Sequence, residues 1–219
     1  MKLVRFRNRR HPRGALGCEA GGLVRVLRGS LFNGKLEPTG ETLAGDELGE
    51  LLPPVPRPPN LLAIGANFAA HCRECATPPP AEPLLFLKAT TSIIGHGQAI
   101  VLPPEHPDEV DFEAELAVII GRTARRISEA DAGSYILGYT CANDVSARDV
   151  QLRIDSQWAR GKSFDTFCPL GPCLVTELGD LREVRLQSRV NGGLMQDRPL
   201  ADMTFSVARI VAALSATMT

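Results

Sequence analysis

Near the start of the chain, Leu3, Val4 and Phe6 stand among Arg5, Arg7 and Arg9, an interleaving that fits a short strand with one solvated face. The stretch GGLVRVLRGSLFNGKLEPTG (21–40) has short apolar runs broken by glycine and reads as a few small strands joined by turns. Residues 1–50 therefore form a small β region. LLPPVPRPPN (51–60) carries five prolines, a stiff extended connector that marks a boundary. Beyond it, NLLAIGANF (60–68) and PLLFLK (83–88) are apolar runs bounded by Pro, Gly and Asn, hence buried strands. The segment between them opens as a loop or short helix and is stopped by TPPPAEP, a suitable place for a lid. DFEAELAVIIG (111–121) has an apolar second half and a Gly stop, the strongest strand signal in the chain. SEADAGSYILGY (128–139) opens on Ser128 with Asp131 three residues on, a capping-type helix start. RLQSRVNGGLMQ (185–196) places Asn191-Gly192 between alternating residues, a hairpin. The last stretch, 202–219, has apolar residues at 203, 205, 207, 210, 211 and 214, which predicts a mostly buried helix. It stops without a Gly or Pro terminator, and more chain is expected to follow. No repeat is visible.

Composition narrows the function classes. With 219 residues the chain can bury a full core. Its formal charge is −1, with both signs interspersed, so no whole-protein field favours nucleic acid or a membrane surface. No apolar run approaches the roughly 18 residues of a membrane span. The basic N-terminus, free of acids until Glu19, lacks the Ser-rich amphipathic pattern of a transit peptide. Six cysteines sit in a chain too large to need staples, and free thiols in a reducing cytoplasm are the plainer reading.

Residues 71–80, HCRECATPPP, hold two chemistries. Cys72 and Cys75 have the spacing of a redox pair or half a zinc site, whereas His71 and Glu74 set a general base one helical turn from a carboxylate. A single CxxC lacks the second ligand pair of a structural zinc site, and polar pairs at i,i+3 are common on helix surfaces. The segment alone decides nothing. Glu113 and Glu115 lie two apart in an apolar strand, so their side chains share a face. Two like charges there are costly unless something positive sits between them. A divalent cation answers that need, and all-oxygen ligands favour a hard ion; the alternative is a pair of glutamates facing water at a strand edge. Asp144, in CANDVSARDVQ (141–151), offers a third carboxylate for an open metal site. Arg148 and Gln151 follow on one side of a helical turn, or on an exposed polar face. Lys162, in RGKSFDTF, lies between Gly161 and an apolar-aromatic stretch from which an ammonium could enter a pocket.

Taken in order, NFAAHCRE, PLLFLKATTSIIG, DFEAELAVIIGR, ILGYTCANDVSARDVQ, RGKSFDTFCPLGP and VNGGLMQDRPLADMTFSVARIVAALS resemble the fumarylacetoacetate hydrolase family from about residue 56 onward. The resemblance implies a mixed α+β, mainly β fold: a β-roll catalytic domain (61–219), the connector (51–60) and a small N-terminal β region (1–50), usually assembled as a homodimer. It implies Mg²⁺ or Mn²⁺, or Ca²⁺, held by Glu113, Glu115 and Asp144. Lys162 matches a lysine that stabilises a developing enolate, and Arg148, Gln151 and Lys88 match groups that hold a small oxoacid substrate. His71 and Glu74 match a pair that orients and deprotonates water. The implied activity is metal-dependent cleavage of a carbon–carbon bond in an acylpyruvate or other 2,4-dioxo acid. Two alternatives are isomerisation or decarboxylation of an unsaturated 2-oxo dioic acid in homoprotocatechuate degradation, and a non-catalytic metal-binding remnant. Members of the family continue past the point matching Thr219 into a Thr-Gly-Thr-Pro segment, so a fragment or truncated product is expected. A redox or zinc protein built on Cys72 and Cys75 is the remaining contender.

Overall fold

The computed structural model describes residues 1–32 and 35–219. Strands β1 (Lys2–Arg7), β2 (Ala15–Ala20), β3 (Leu23–Arg28) and β4 (Glu37–Ala44) form an antiparallel meander, and β5 (Glu50–Leu52) returns to pair with β1. The Asn33-Gly34 pair within the stretch read as strands joined by turns lies outside the described residues. Next come β6 (Leu61–Gly65), α1 (Ala69–Glu74), β7 (Leu84–Lys88) and β8 (Ile93–Ile94). They are followed by β9 (Val110–Asp111), β10 (Ala114–Ile120), α2 (Glu129–Ala132), β11 (Ile136–Asn143) and β12 (Ser146–Ala147). A π-helical turn at Val150–Ile154 leads to β13 (Cys168–Val175), β14 (Arg185–Val190), β15 (Gly193–Pro199) and α3 (Val207–Thr217). The fold is mainly β, as the sequence predicts.

One sheet runs β10-β11-β13-β1-β2-β3-β4, which joins the N-terminal meander to later strands through the pairing of Leu3 with Leu174. This changes the reading of β1. As an interior strand it buries Leu3, Val4 and Phe6, all under a tenth exposed, so the face expected to be solvated is covered at Leu3, partly covered at Arg5 and open to solvent at Arg7. Arg5 instead folds its guanidinium onto the Pro53 carbonyl at 2.7 Å. Val4, Phe6, Val24, Val26, Leu43 and Leu48 make the core under the meander. The connector starts at Pro53 rather than residue 51, because Leu51 and Leu52 pair with Phe6 and Arg5.

Local chemistry governs the other elements. Asn191 and Gly192 take φ of 50° and 82°, the left-handed pair that a tight hairpin requires, and β14 and β15 pair across them. Ser128 accepts the Asp131 N–H, but the helix lasts one turn before β11 begins. The final helix starts later than its apolar spacing suggests, at the Ser206 cap, because Met203 bridges to Phe68 first. Its Val207 and Val211 pack on Ala132. The long strand expected over 111–121 is interrupted: Asp111 pairs with Ser146, whereas Ala114 pairs with Asn143. The chain changes partners at Phe112-Glu113, which sets Glu113 beside the candidate site.

Candidate active site

The segments carrying Asp144 and Lys162 are laced together by backbone hydrogen bonds. Val145 N–H donates to Phe167 O at 3.2 Å and Ala147 N–H to Gly161 O at 2.8 Å. Gly161 is required for this closeness, since a Cβ there would lie 2.9 Å from Gln151 N and 3.0 Å from Ala147 O. Asp144 N–H donates to Glu113 O at 2.9 Å, and Glu113 N–H donates to Asn143 Oδ1 at 3.0 Å, so the two acidic residues are latched through their backbones. The ring of Trp158 packs edge-on against Phe86, and its backbone carbonyl accepts the Lys162 backbone N–H at 3.1 Å. The Lys162 ammonium lies 5.3 Å from the centre of the Phe86 ring.

Lys162 is 2 % exposed. Its Nζ donates to Glu113 Oε2 at 2.7 Å and to Asp144 Oδ2 at 2.8 Å. Lys88, also buried, donates to Asp144 Oδ1 at 2.7 Å, to Val145 O at 3.3 Å and to the Lys162 carbonyl. Burial acts to raise the Asp144 pKa, but Lys88 and Lys162 outweigh it and hold this carboxyl below its ordinary range. For Lys88 burial prevails and lowers its pKa despite Asp144. Glu115 differs. It forms no hydrogen bond or ion pair through its carboxyl among the described residues, and burial, aided by Glu113 and Asp144, pushes its pKa up to about 8 against the opposing pull of Lys162.

Six of the nine residues singled out from the sequence thus belong to one network: Glu113, Asp144, Arg148, Gln151, Lys162 and Lys88, with Glu115 electrostatically coupled to it. Lys88 departs from expectation. An ammonium has three N–H donors, and all three are directed to protein oxygens, so none is left for substrate. His71 and Glu74 form no contact with this network. Glu74 pairs with Arg198 instead of His71, and the His71 ring approaches Cys75 Sγ at 3.7 Å. Cys72 is buried and directs its thiol to Ala66 O at 3.4 Å, while Cys75 is exposed; the two thiols face different surroundings, unlike a redox pair or zinc half-site. Asp111 was not singled out, although D-x-E-x-E over 111–115 extends the same-face alternation by one step.

Among the described residues, no three His, Cys, Asp or Glu side chains are gathered about one point as in an assembled metal centre. The donor set nevertheless suits a hard divalent cation: three carboxylates, with a lysine ammonium holding the place between two of them and the third left uncompensated.

Residues 60–219 match the family described as fumarylacetoacetate (FAA) hydrolase, C-terminal, and residues 1–54 match the Rv2993c-like N-terminal family. An uncharacterised protein of Archaeoglobus fulgidus is 42% identical over 200 residues, covering 89% of this chain and 78% of its own. The mitochondrial oxaloacetate tautomerase Fahd2a of Rattus norvegicus is 44% identical over 163 residues, 74% of this chain and 52% of its own; the chain thus spans about half the length of that relative. The crystal structure of 5-carboxymethyl-2-hydroxymuconate delta-isomerase from Mycobacterium smegmatis superposes with a TM-score of 0.88 at 37% identity, over all of this chain and 83% of that one. The chain belongs to the fumarylacetoacetate hydrolase family, and its relatives include proteins named as a tautomerase and an isomerase.

Proposed function

We propose that this chain carries the catalytic residues of an enzyme that stabilises the enolate of a small 2-oxo acid, tautomerising or isomerising it with Mg²⁺ or Mn²⁺ held by Glu113, Glu115 and Asp144. The observation that carries this reading is the buried Lys162 ammonium shared between Glu113 and Asp144, with Glu115 uncompensated alongside. The names of the tautomerase and delta-isomerase relatives support it. A divalent cation there would act as a Lewis acid toward negative charge developing on substrate oxygen. Glu113 and Asp144 take two of the three Lys162 N–H groups, which leaves a third as a donor for the same charge, an effect often worth about 3 kcal/mol. Gln151, buried and tied to Arg148 at 2.9 Å, orients an amide toward the site.

Hydrolysis of an acylpyruvate is the second reading. His71 stands exposed on a six-residue helix, and the Glu74–Arg198 pair is an exposed one of the kind that costs little to break. Movement of α1 could therefore deliver imidazole and carboxylate to the site. Assays with oxaloacetate and with acetylpyruvate, each with and without Mn²⁺, separate the readings. Metal-dependent enol–keto exchange without cleavage supports the first, and cleavage lost in His71→Ala supports the second. Turnover that ignores the metal contradicts both.

A further inference from the structure

We infer that Asp111 is a positioning residue that sets the carboxylate of Glu113, a proposed metal ligand, through Arg148. The inference rests on the divalent-cation reading above. It begins with the short ribbon of β9 and β12, where Ala147 faces Val110 and Ser146 faces Asp111. One residue further, the Arg148 N–H donates to Glu109 O at 2.8 Å, so the arginine side chain starts diagonally across from Asp111, within reach of a long side chain.

The guanidinium is then almost fully committed. Nε and Nη2 donate to Asp111 Oδ2 at 3.1 and 2.8 Å. Nη1 donates to Gln151 Oε1 at 2.9 Å and contacts Glu113 Oε1 at 2.7 Å. Of five N–H groups, a single one on Nη2 remains for anything else. Asp111 is itself fixed from the other side, because its Oδ1 accepts the Phe112 N–H at 2.9 Å. Glu113 is consequently held at both oxygens, Oε1 by Arg148 and Oε2 by Lys162, and the grip of Asp111 on the Nε–Nη2 edge of the guanidinium sets where Nη1 stands for Glu113. A planar fork transmits orientation in a way that a point charge does not. Partners of this kind behind a ligating carboxylate govern affinity for the ion.

The Asp111 side chain is about half exposed, so its ion pair adds little to global stability. That permits a clean test. Free Mn²⁺ is measured by electron paramagnetic resonance during titration of the metal-free parent, Asp111→Asn, Asp111→Glu and Arg148→Lys, with urea unfolding run on each. The parent binds; Asp111→Asn weakens Mn²⁺ about tenfold at an unchanged urea midpoint; Asp111→Glu keeps most of the parent's affinity; and Arg148→Lys, which loses the fork, weakens Mn²⁺ as Asp111→Asn does. Equal Mn²⁺ affinity in parent and Asp111→Asn, with a raised KM for the 2-oxo acid, would overturn the inference by showing that Asp111 and Arg148 act on the substrate alone, with the cation site intact. Affinity and urea midpoint falling together, without recovery in Asp111→Glu, would also overturn it by reducing Asp111 to a structural role. A folded parent that binds no Mn²⁺ defeats the cation reading, and this inference with it.

Discussion

Replacing Glu115 by Gln separates the cost of the carboxylate cluster from its use. In the metal-free protein, burial and the neighbouring Glu113 and Asp144 move the Glu115 pKa from 4.5 to about 8. The unfolded chain releases this proton near 4.5, whereas the folded chain keeps it until about pH 8. Between those values the native state binds more protons, so its stability declines as pH rises through the window and levels off above pH 8. The full linkage is roughly 5 kcal/mol. Water reaching a half-buried carboxyl relaxes this to about 2–3 kcal/mol at the high effective dielectric that such sites show. Gln keeps the shape and removes the titration. Urea unfolding in EDTA therefore shows Glu115→Gln more stable than the parent by about 2–3 kcal/mol at pH 8.5 and by a few tenths at pH 5. Saturating Mn²⁺ reverses the order, stabilising the parent alone. A difference between parent and variant that is the same at pH 5 and pH 8.5 would refute the reasoning, because it would mean that Glu115 titrates as an ordinary surface carboxyl.

Other expectations follow from the same contacts. Lys162→Ala leaves Glu113 and Asp144 without the ammonium they share, and should destabilise the metal-free chain by about 3–5 kcal/mol in urea titrations; Mn²⁺ should restore part of the loss. In the metal-loaded enzyme the same variant should lower kcat by about 10²–10³ if it supplies the oxyanion donor. Gly161→Ala drives a methyl to 2.9 Å from Gln151 N and 3.0 Å from Ala147 O, both backbone atoms, with an expected loss of about 1–3 kcal/mol by thermal unfolding. Gly192→Ala, at φ of 82°, should cost about 1 kcal/mol and leave Mn²⁺ binding unaltered.

The features legible in the sequence are those set by neighbours along the chain. The Asn191-Gly192 hairpin and the Ser128 cap depend on a few residues each, and both stand where local chemistry puts them. Features decided by distant strands are harder to read. β1 carries arginines that suggest a wet face, but its burial is decided by pairing with Leu174 and Val175 near the other end of the chain. Lys88 shows the same limit at the site, since residue type suggests a substrate contact while its direction is dictated by Asp144, 56 positions away. Glu74 is three residues from His71 yet pairs with Arg198, 124 positions on. The same-face rule brought out Glu113 and Glu115 and, extended by one step, reaches Asp111. What Asp111 does there depends on Arg148, which only the β9–β12 ribbon brings within reach.

The most direct measurement is calorimetric titration of the metal-free chain with Mn²⁺, run beside Glu115→Gln. Binding in the parent that disappears in the variant, with both proteins folded by circular dichroism, is the result expected if Glu113, Glu115 and Asp144 hold a catalytic cation. A folded parent that binds no Mn²⁺, or a variant that binds it equally well, would contradict that assignment and the enolate chemistry built upon it.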